Sequence, residues 1–189
     1  DDIGILPDPQ VLLGAPAERR GCFQRKADEG ATVLVLPSGE PHGDLFFVGD
    51  FATARTHFDN CVDLYDEVSH ADHAYLFGQD PRVIALSYLS WLLWITGNED
   101  EAGEAGASAL KHARELGHPI TLAFALSYAA FLHLFKSDHE EVPAYAGELI
   151  ALRESQGIPE LWVAHGNVAM AWHQGEVHDA QEAATQMKA

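Results

Sequence analysis

The chain has 189 residues, 47% of them hydrophobic, and a formal charge of −18 from 29 Asp and Glu against 11 Lys and Arg. That is enough apolar chain for one substantial core, and nothing forces a second one. The charge excludes direct nucleic-acid binding, which needs clustered Lys and Arg, and the lack of an uninterrupted run near ~18 apolar residues or of a signal-peptide pattern argues against membrane insertion.

Residues 1–44 read as an irregular Pro/Gly-rich cap or linker. Pro7, Pro9, Pro16, Pro37 and Pro41, with Gly14, Gly21, Gly30, Gly39 and Gly43, rule out a long helix there. The strand-like run Thr32-Val33-Leu34-Val35-Leu36 favours a cap docked over the open end of a helical stack. Cys22 lies in this part and Cys61 on a later helix face, a usage that makes no disulfide framework and favours a cytoplasmic home.

Residues 45–189 read as a helical domain of about four helix-pair units. The first unit opens at Gly49-Asp50-Phe51-Ala52-Thr53-Ala54, with Phe58 and Cys61 four and seven residues beyond Ala54. Val83 to Ile95 is apolar almost all round, as befits a helix sandwiched between neighbours. The second unit opens at Gly97-Asn98-Glu99-Asp100-Glu101-Ala102, with Gly106 and Ala109 at the same offsets. Asp100, Glu101, Glu104, Lys111, Arg114 and Glu115 give the helix from Asp100 to Leu116 one wet face, so it is an outer helix.

Leu122 to Phe135 and Leu161 to Trp172 are again apolar all round. Between them a weaker unit opens at Ser137-Asp138-His139 and continues through Val142, Ala146 and Leu149; a last one opens at Gly175-Glu176-Val177-His178-Asp179-Ala180, with Ala184 and Met187. The steps between Ala54, Ala102, Val142 and Ala180 are 48, 40 and 38 residues. Gly117-His118-Pro119 and Gly157-Ile158-Pro159, forty residues apart, close two amphipathic segments. The expected fold is therefore all-α, a stack of antiparallel helix pairs in which small residues let the second helix of each pair lie close to the first.

This pattern resembles the tetratricopeptide repeat, in which an Ala is followed four residues later by an aromatic. Ala54 and Phe58 match it directly, while Gly106, Ala146 and Ala184 replace the aromatic elsewhere. A closer resemblance runs from about Gly49 onward, through Gly49-Asp50-Phe51-Ala52-Thr53-Ala54-Arg55, His73-Ala74-Tyr75-Leu76-Phe77-Gly78-Gln79-Asp80-Pro81, Leu86-Ser87-Tyr88, Ala113-Arg114-Glu115-Leu116-Gly117-His118-Pro119 and Leu122-Ala123-Phe124-Ala125-Leu126. These strings are similar to the repeat-rich carboxy-terminal region of large bacterial signalling proteins, which join a class III nucleotide cyclase or helix-turn-helix regulator to an AAA-type ATPase module. The resemblance implies a tetratricopeptide-like α-solenoid that serves as a sensory or interaction segment, with the catalytic parts upstream. Consistent with that, the chain has no Gly-x-x-x-x-Gly-Lys-Ser/Thr phosphate loop, and it starts at Asp1 without a Met, reading as a piece of something longer.

The expected function is non-catalytic binding of a protein, peptide or small ligand in a concave groove. Ser87, Trp91 and Trp94 fall on one helical stripe, and Phe131, His165 and Trp172 on the corresponding stripes of later units. Trp suits such a groove because it supplies a large contact area and one donor. Solvated acidic faces or adaptation to salt account for the charge, and a cationic partner stays open. Self-association is a further expectation, through an uncovered terminal face at Val177, Ala180, Ala184 and Met187.

The competing reading is a small hydrolase or metal-dependent enzyme on a helical-repeat body, using His70, Asp72 and His73 or the Pro37-Ser38-Gly39-Glu40 turn. Among eleven histidines, His173 and His178 also flank Glu176, yet no His-Glu-x-x-His or Cys pair accompanies either group. Ser108, in Gly106-Ala107-Ser108-Ala109-Leu110, lacks the final Gly of a nucleophile elbow and lies inside a helix. The sequence therefore points to no catalytic residue, metal or cofactor.

Overall fold

Two kinds of tight turn, each built on a left-handed residue, set most of the helix boundaries. A computed structural model describes residues 45–186 apart from 69, 71 and 139, with the backbone alone for Phe77 and for residues 179–186. The expectations for the cap at 1–44 and for Ser38 lie outside these residues, as do the side chains of Ala180, Ala184 and Met187. Seven helices are described: α1 Phe51–Leu64, α2 His73–Phe77, α3 Pro81–Ile95, α4 Glu99–Leu116, α5 Pro119–Phe135, α6 Val142–Gln156 and α7 Glu160–Gln186. The fold is all-α, with antiparallel packing of neighbours, and no helix among the described residues is long and apolar enough to cross a membrane.

The first kind of turn occurs at Gly49, Gly97 and Ser137, whose φ values are 84°, 84° and 54°. In each, the amide of that residue donates to the carbonyl three residues back, and the next amide donates to the carbonyl five back. The pairs are Gly49 to Phe46 and Asp50 to Leu45, Gly97 to Trp94 and Asn98 to Leu93, and Ser137 to Leu134 and Asp138 to His133. This is the Schellman arrangement, which satisfies carbonyls that a helix end would otherwise leave bare. The second kind ends α4 and α6, where the Gly117 and Gly157 amides bond the Ala113 and Arg153 carbonyls at 3.2 and 2.9 Å. A proline follows two residues later in both cases, its fixed φ suited to the start of the next helix.

Packing places α3 and α5 in the middle. α3 lies against α1, α4 and α5, while α5 also meets α4, α6 and α7. As the sequence suggested, α3 is buried nearly all round, and α4 turns Ala102, Ala105, Gly106 and Ala109 inward while its charged residues face water. Small residues set the closest approaches. A Cβ on Gly106 would sit 3.3 Å from Leu132, and one on Gly166 would sit 2.9 Å from Ile150 and 3.1 Å from the Ala146 carbonyl.

One expected break is missing. The sequence placed a turn at Gly175, but α7 runs through it as a single helix of 27 residues. The reason is local: Gly175 is followed by Glu and Val instead of an Asx cap, and the Trp172 indole donates to Glu176 at 2.9 Å, an i,i+4 bond across the glycine. The short helix α2 had no counterpart in the sequence reading.

Candidate functional site

Side-by-side packing of α3, α5 and α7 aligns one partly exposed stripe from each. On α3 the stripe is Tyr88, Trp91 and Ile95; on α5 it is Tyr128, Phe131 and Phe135; on α7 it is Trp162, His165, Val168 and Trp172. Spacings of three and four residues put these side chains on one face of each helix. The rings then meet mostly edge to face, the geometry their quadrupoles favour, with Trp91 instead tilted over Tyr128. Tyr88 lies 5.0 Å from Tyr128, Trp91 lies 4.3 Å from Tyr128 and 5.3 Å from Phe135, and Phe135 lies 6.4 Å from Trp172. Phe46 and Phe47 extend the series beyond Tyr88 at 5.5 and 6.0 Å.

Two polar bonds stitch this face together. The Trp91 indole donates to the Tyr128 carbonyl at 3.0 Å, and the Ser127 hydroxyl meets His165 Nδ1 at 2.8 Å. Burial pushes the His165 imidazole below its usual range, so the ring is held neutral near pH 7. Burial, reinforced by Tyr88, pushes the Tyr128 phenol well above its ordinary value. The face is therefore uncharged along its length, with Glu176 at its α7 end. Exposure reaches 53% at Ile95 and 37% at Phe135, the C-terminal ends of α3 and α5, and 46% at Trp172 in the middle of α7.

The sequence-derived residues fall at different depths. Trp91, Phe131, His165 and Trp172 belong to the face. Ser87 is 1% exposed, beneath it, and its Oγ finds no hydrogen-bond partner among the described residues. Trp94 is half-buried against the cluster formed by Ala54, Phe58, Leu93 and Ala102. The α3 stripe is thus displaced by one residue, to Tyr88 and Ile95. Tyr128, Phe135 and Trp162 escaped the sequence reading, although Tyr88, Tyr128, Trp91, Phe131, Ile95 and Phe135 recur at a forty-residue step that could have revealed them.

A second cluster surrounds Asp80, which is fully buried ahead of α3. Its Oδ1 accepts from the Val83 amide at 3.0 Å and its Oδ2 from the Tyr65 hydroxyl at 2.7 Å. His112 Nε2 lies 3.7 Å from Oδ1, and the Asp80 amide donates to the Thr121 hydroxyl at 3.2 Å. Burial lowers the His112 pKa, with Asp80 opposing, and raises that of Tyr65, with its bond to Asp80 adding. Arg82 stands over the Tyr65 ring and pairs with Glu67 at 2.9 Å.

The histidines proposed for chemistry sit beside this cluster. His70 and His73 stack at 4.6 Å, both buried, while Asp72 is exposed. No group of three or more His, Cys, Asp or Glu side chains placed to hold a metal occurs among the described residues. Ser108 is exposed on α4, within the helix. What the Asp80 cluster does is tie α3, α4, α5 and the Tyr65 loop into one body, since each polar group is buried against a partner from another element. No family model matches this chain, and neither does any curated protein or solved structure.

Proposed function

We propose that the chain is a non-catalytic helical-repeat scaffold of tetratricopeptide type, the interaction segment of a larger signalling or regulatory protein, which holds a peptide or protein segment on the face made by α3, α5 and α7. One observation carries this reading: an unbroken series of ring contacts crosses three helices and ends in rings left open to solvent. Aromatic side chains stacked between helices could be core alone. Trp172 and Phe135 add no such core while exposed, and apolar surface of this kind is characteristic of a docking site.

The repeat itself is supported by the recurrence of one turn at Gly49, Gly97 and Ser137, steps of 48 and 40 residues apart. The partner's charge follows from the balance of this chain. Arg55, Arg82, Lys111, Arg114 and Arg153 each pair with a carboxylate of the chain itself, leaving acidic side chains in excess. A bound segment is therefore apolar or aromatic at its centre and cationic at its flanks.

Selection from a random displayed peptide library tests this. Enriched sequences should pair an aromatic or aliphatic core with Lys or Arg, and their affinity should drop at least about tenfold when Phe135 and Trp172 are both changed to Ala. Enrichment of acidic sequences, or undiminished binding to that double variant, would overturn the reading.

A further inference from the structure

His118 joins the two clusters, because it caps the N-terminus of α5 and hydrogen-bonds into the Asp80 network. Its Nδ1 accepts from the Thr121 amide at 3.3 Å and lies 2.9 Å from the Thr121 hydroxyl oxygen. That oxygen also accepts from the Asp80 amide, and the hydroxyl is buried. The direction of each bond comes from counting donors. A proton on Nδ1 would face the Thr121 amide hydrogen, so Nδ1 must be bare, and the Thr121 hydroxyl donates to it. The ring is therefore the neutral tautomer with its hydrogen on Nε2.

Adding a proton to that ring has three structural consequences. It removes the acceptor of both Thr121 bonds, it leaves the third amide of α5 uncapped, and it sets a cation at the positive end of the helix dipole. The groups facing His118 offer little compensation. The Tyr75 ring from α2 meets it edge-on at 4.9 Å, and among the described residues Asp80, ahead of α3, is the carboxylate that draws it. Both Asp80 oxygens are already engaged, by the Val83 amide and by Tyr65, with His112 of α4 at 3.7 Å and Arg82 of α3 over the Tyr65 ring. Burial outweighs the pull of Asp80 and lowers the His118 pKa.

The helix held by this cap is the middle one of the aromatic face, carrying Tyr128, Phe131 and Phe135. We propose that protonation of His118 releases the N-terminus of α5 as the pH falls, loosening the centre of the face. Its functional meaning rests on the binding role proposed above, but the release itself is a property of the chain without a ligand.

The test monitors the ligand-free chain by NMR from pH 7.5 to 5.5, comparing it with His118→Asn, which can cap through its side-chain oxygen and does not titrate. In the parent chain the protection factor of the Thr121 amide should fall about tenfold, the size of effect that losing one N-cap produces. The Trp91 indole N–H should lose protection with the same midpoint, and His118→Asn should lose clearly less of both, only what the other buried histidines cause. An unchanged Thr121 or Trp91, an equal loss in His118→Asn, or a proton on Nδ1 at pH 7.5 would overturn the proposal. The ring-nitrogen shifts of the parent chain decide the last point without any variant. A failure of peptide selection would leave all these readings intact.

Discussion

Gly166 and Gly147 look alike in the sequence, each a lone glycine inside a helix, yet their surroundings differ sharply. A Cβ at 166 would press on Ile150 and on the Ala146 carbonyl, whereas a Cβ at 147 meets nothing within 4 Å. Gly166→Ala should cost about 1–3 kcal/mol of stability through overpacking between α6 and α7. Gly147→Ala should instead stabilise by up to about 1 kcal/mol, the ordinary helix-propensity gain. Urea denaturation of the two variants checks the pair, and equal effects would contradict the packing. Asp80 is a second case, since it accepts both the Val83 amide and the Tyr65 hydroxyl while buried. Asp80→Ala should therefore cost about 1–3 kcal/mol in the same assay, more than an exposed cap would, because removing it strands a buried amide.

At the scale of elements, the three like turns before α1, before α4 and after α5 use two glycines and one serine. Ser137 holds the left-handed conformation at φ 54° without a glycine's freedom. Ser137→Gly should raise stability by about 0.5–1 kcal/mol, relief of the left-handed cost being partly offset by the entropy of the unfolded glycine. Thermal melting reads this directly, and a destabilised variant would show that the serine side chain holds the turn. The helices other than α2 and the far half of α7 were legible because Gly-Asx pairs, Gly-x-Pro and apolar runs are local signals. The face was legible only in part. Trp91, Phe131, His165 and Trp172 were found by their spacing, but Ser87 was paired with them because a helical stripe admits either neighbour until packing shows which side meets α4. The Asp80 cluster was not legible at all. Its members, Tyr65, Asp80, His112, and His118 with Thr121, come from four places in the chain, and no periodicity links them.

For the whole molecule, acid sensitivity has a definite sign. His112, His118 and His165 are all held below the ordinary imidazole value by burial. The unfolded chain takes up these protons first, near pH 6.5, so it binds more protons than the folded chain just below that point. Stability should therefore be full above about pH 6.5 and decline as pH drops toward the lowered folded-state values. Melting temperatures at pH 7.5, 6.5 and 5.5 would show this fall. Performing the series in about 0.5 M salt screens the self-repulsion of a chain carrying −18, which acidification alone would otherwise relieve. A melting temperature that rises toward pH 5.5 in salt would contradict the burial of these rings.

The uninterrupted course of α7 through Gly175 has a mechanical consequence. At 27 residues it exceeds the 17 of α5 by ten, so about 15 Å of its axis reaches past what a helix of equal length would cover. Its base is clamped where Gly166 lets it touch α6, and its middle carries Trp172 against Phe135. A stiff rod pivoting at such a clamp works as a lever. Were the proposed segment to settle against Trp172, a tilt of a few degrees there would displace the far end by about an ångström, turning occupancy into movement without unfolding anything.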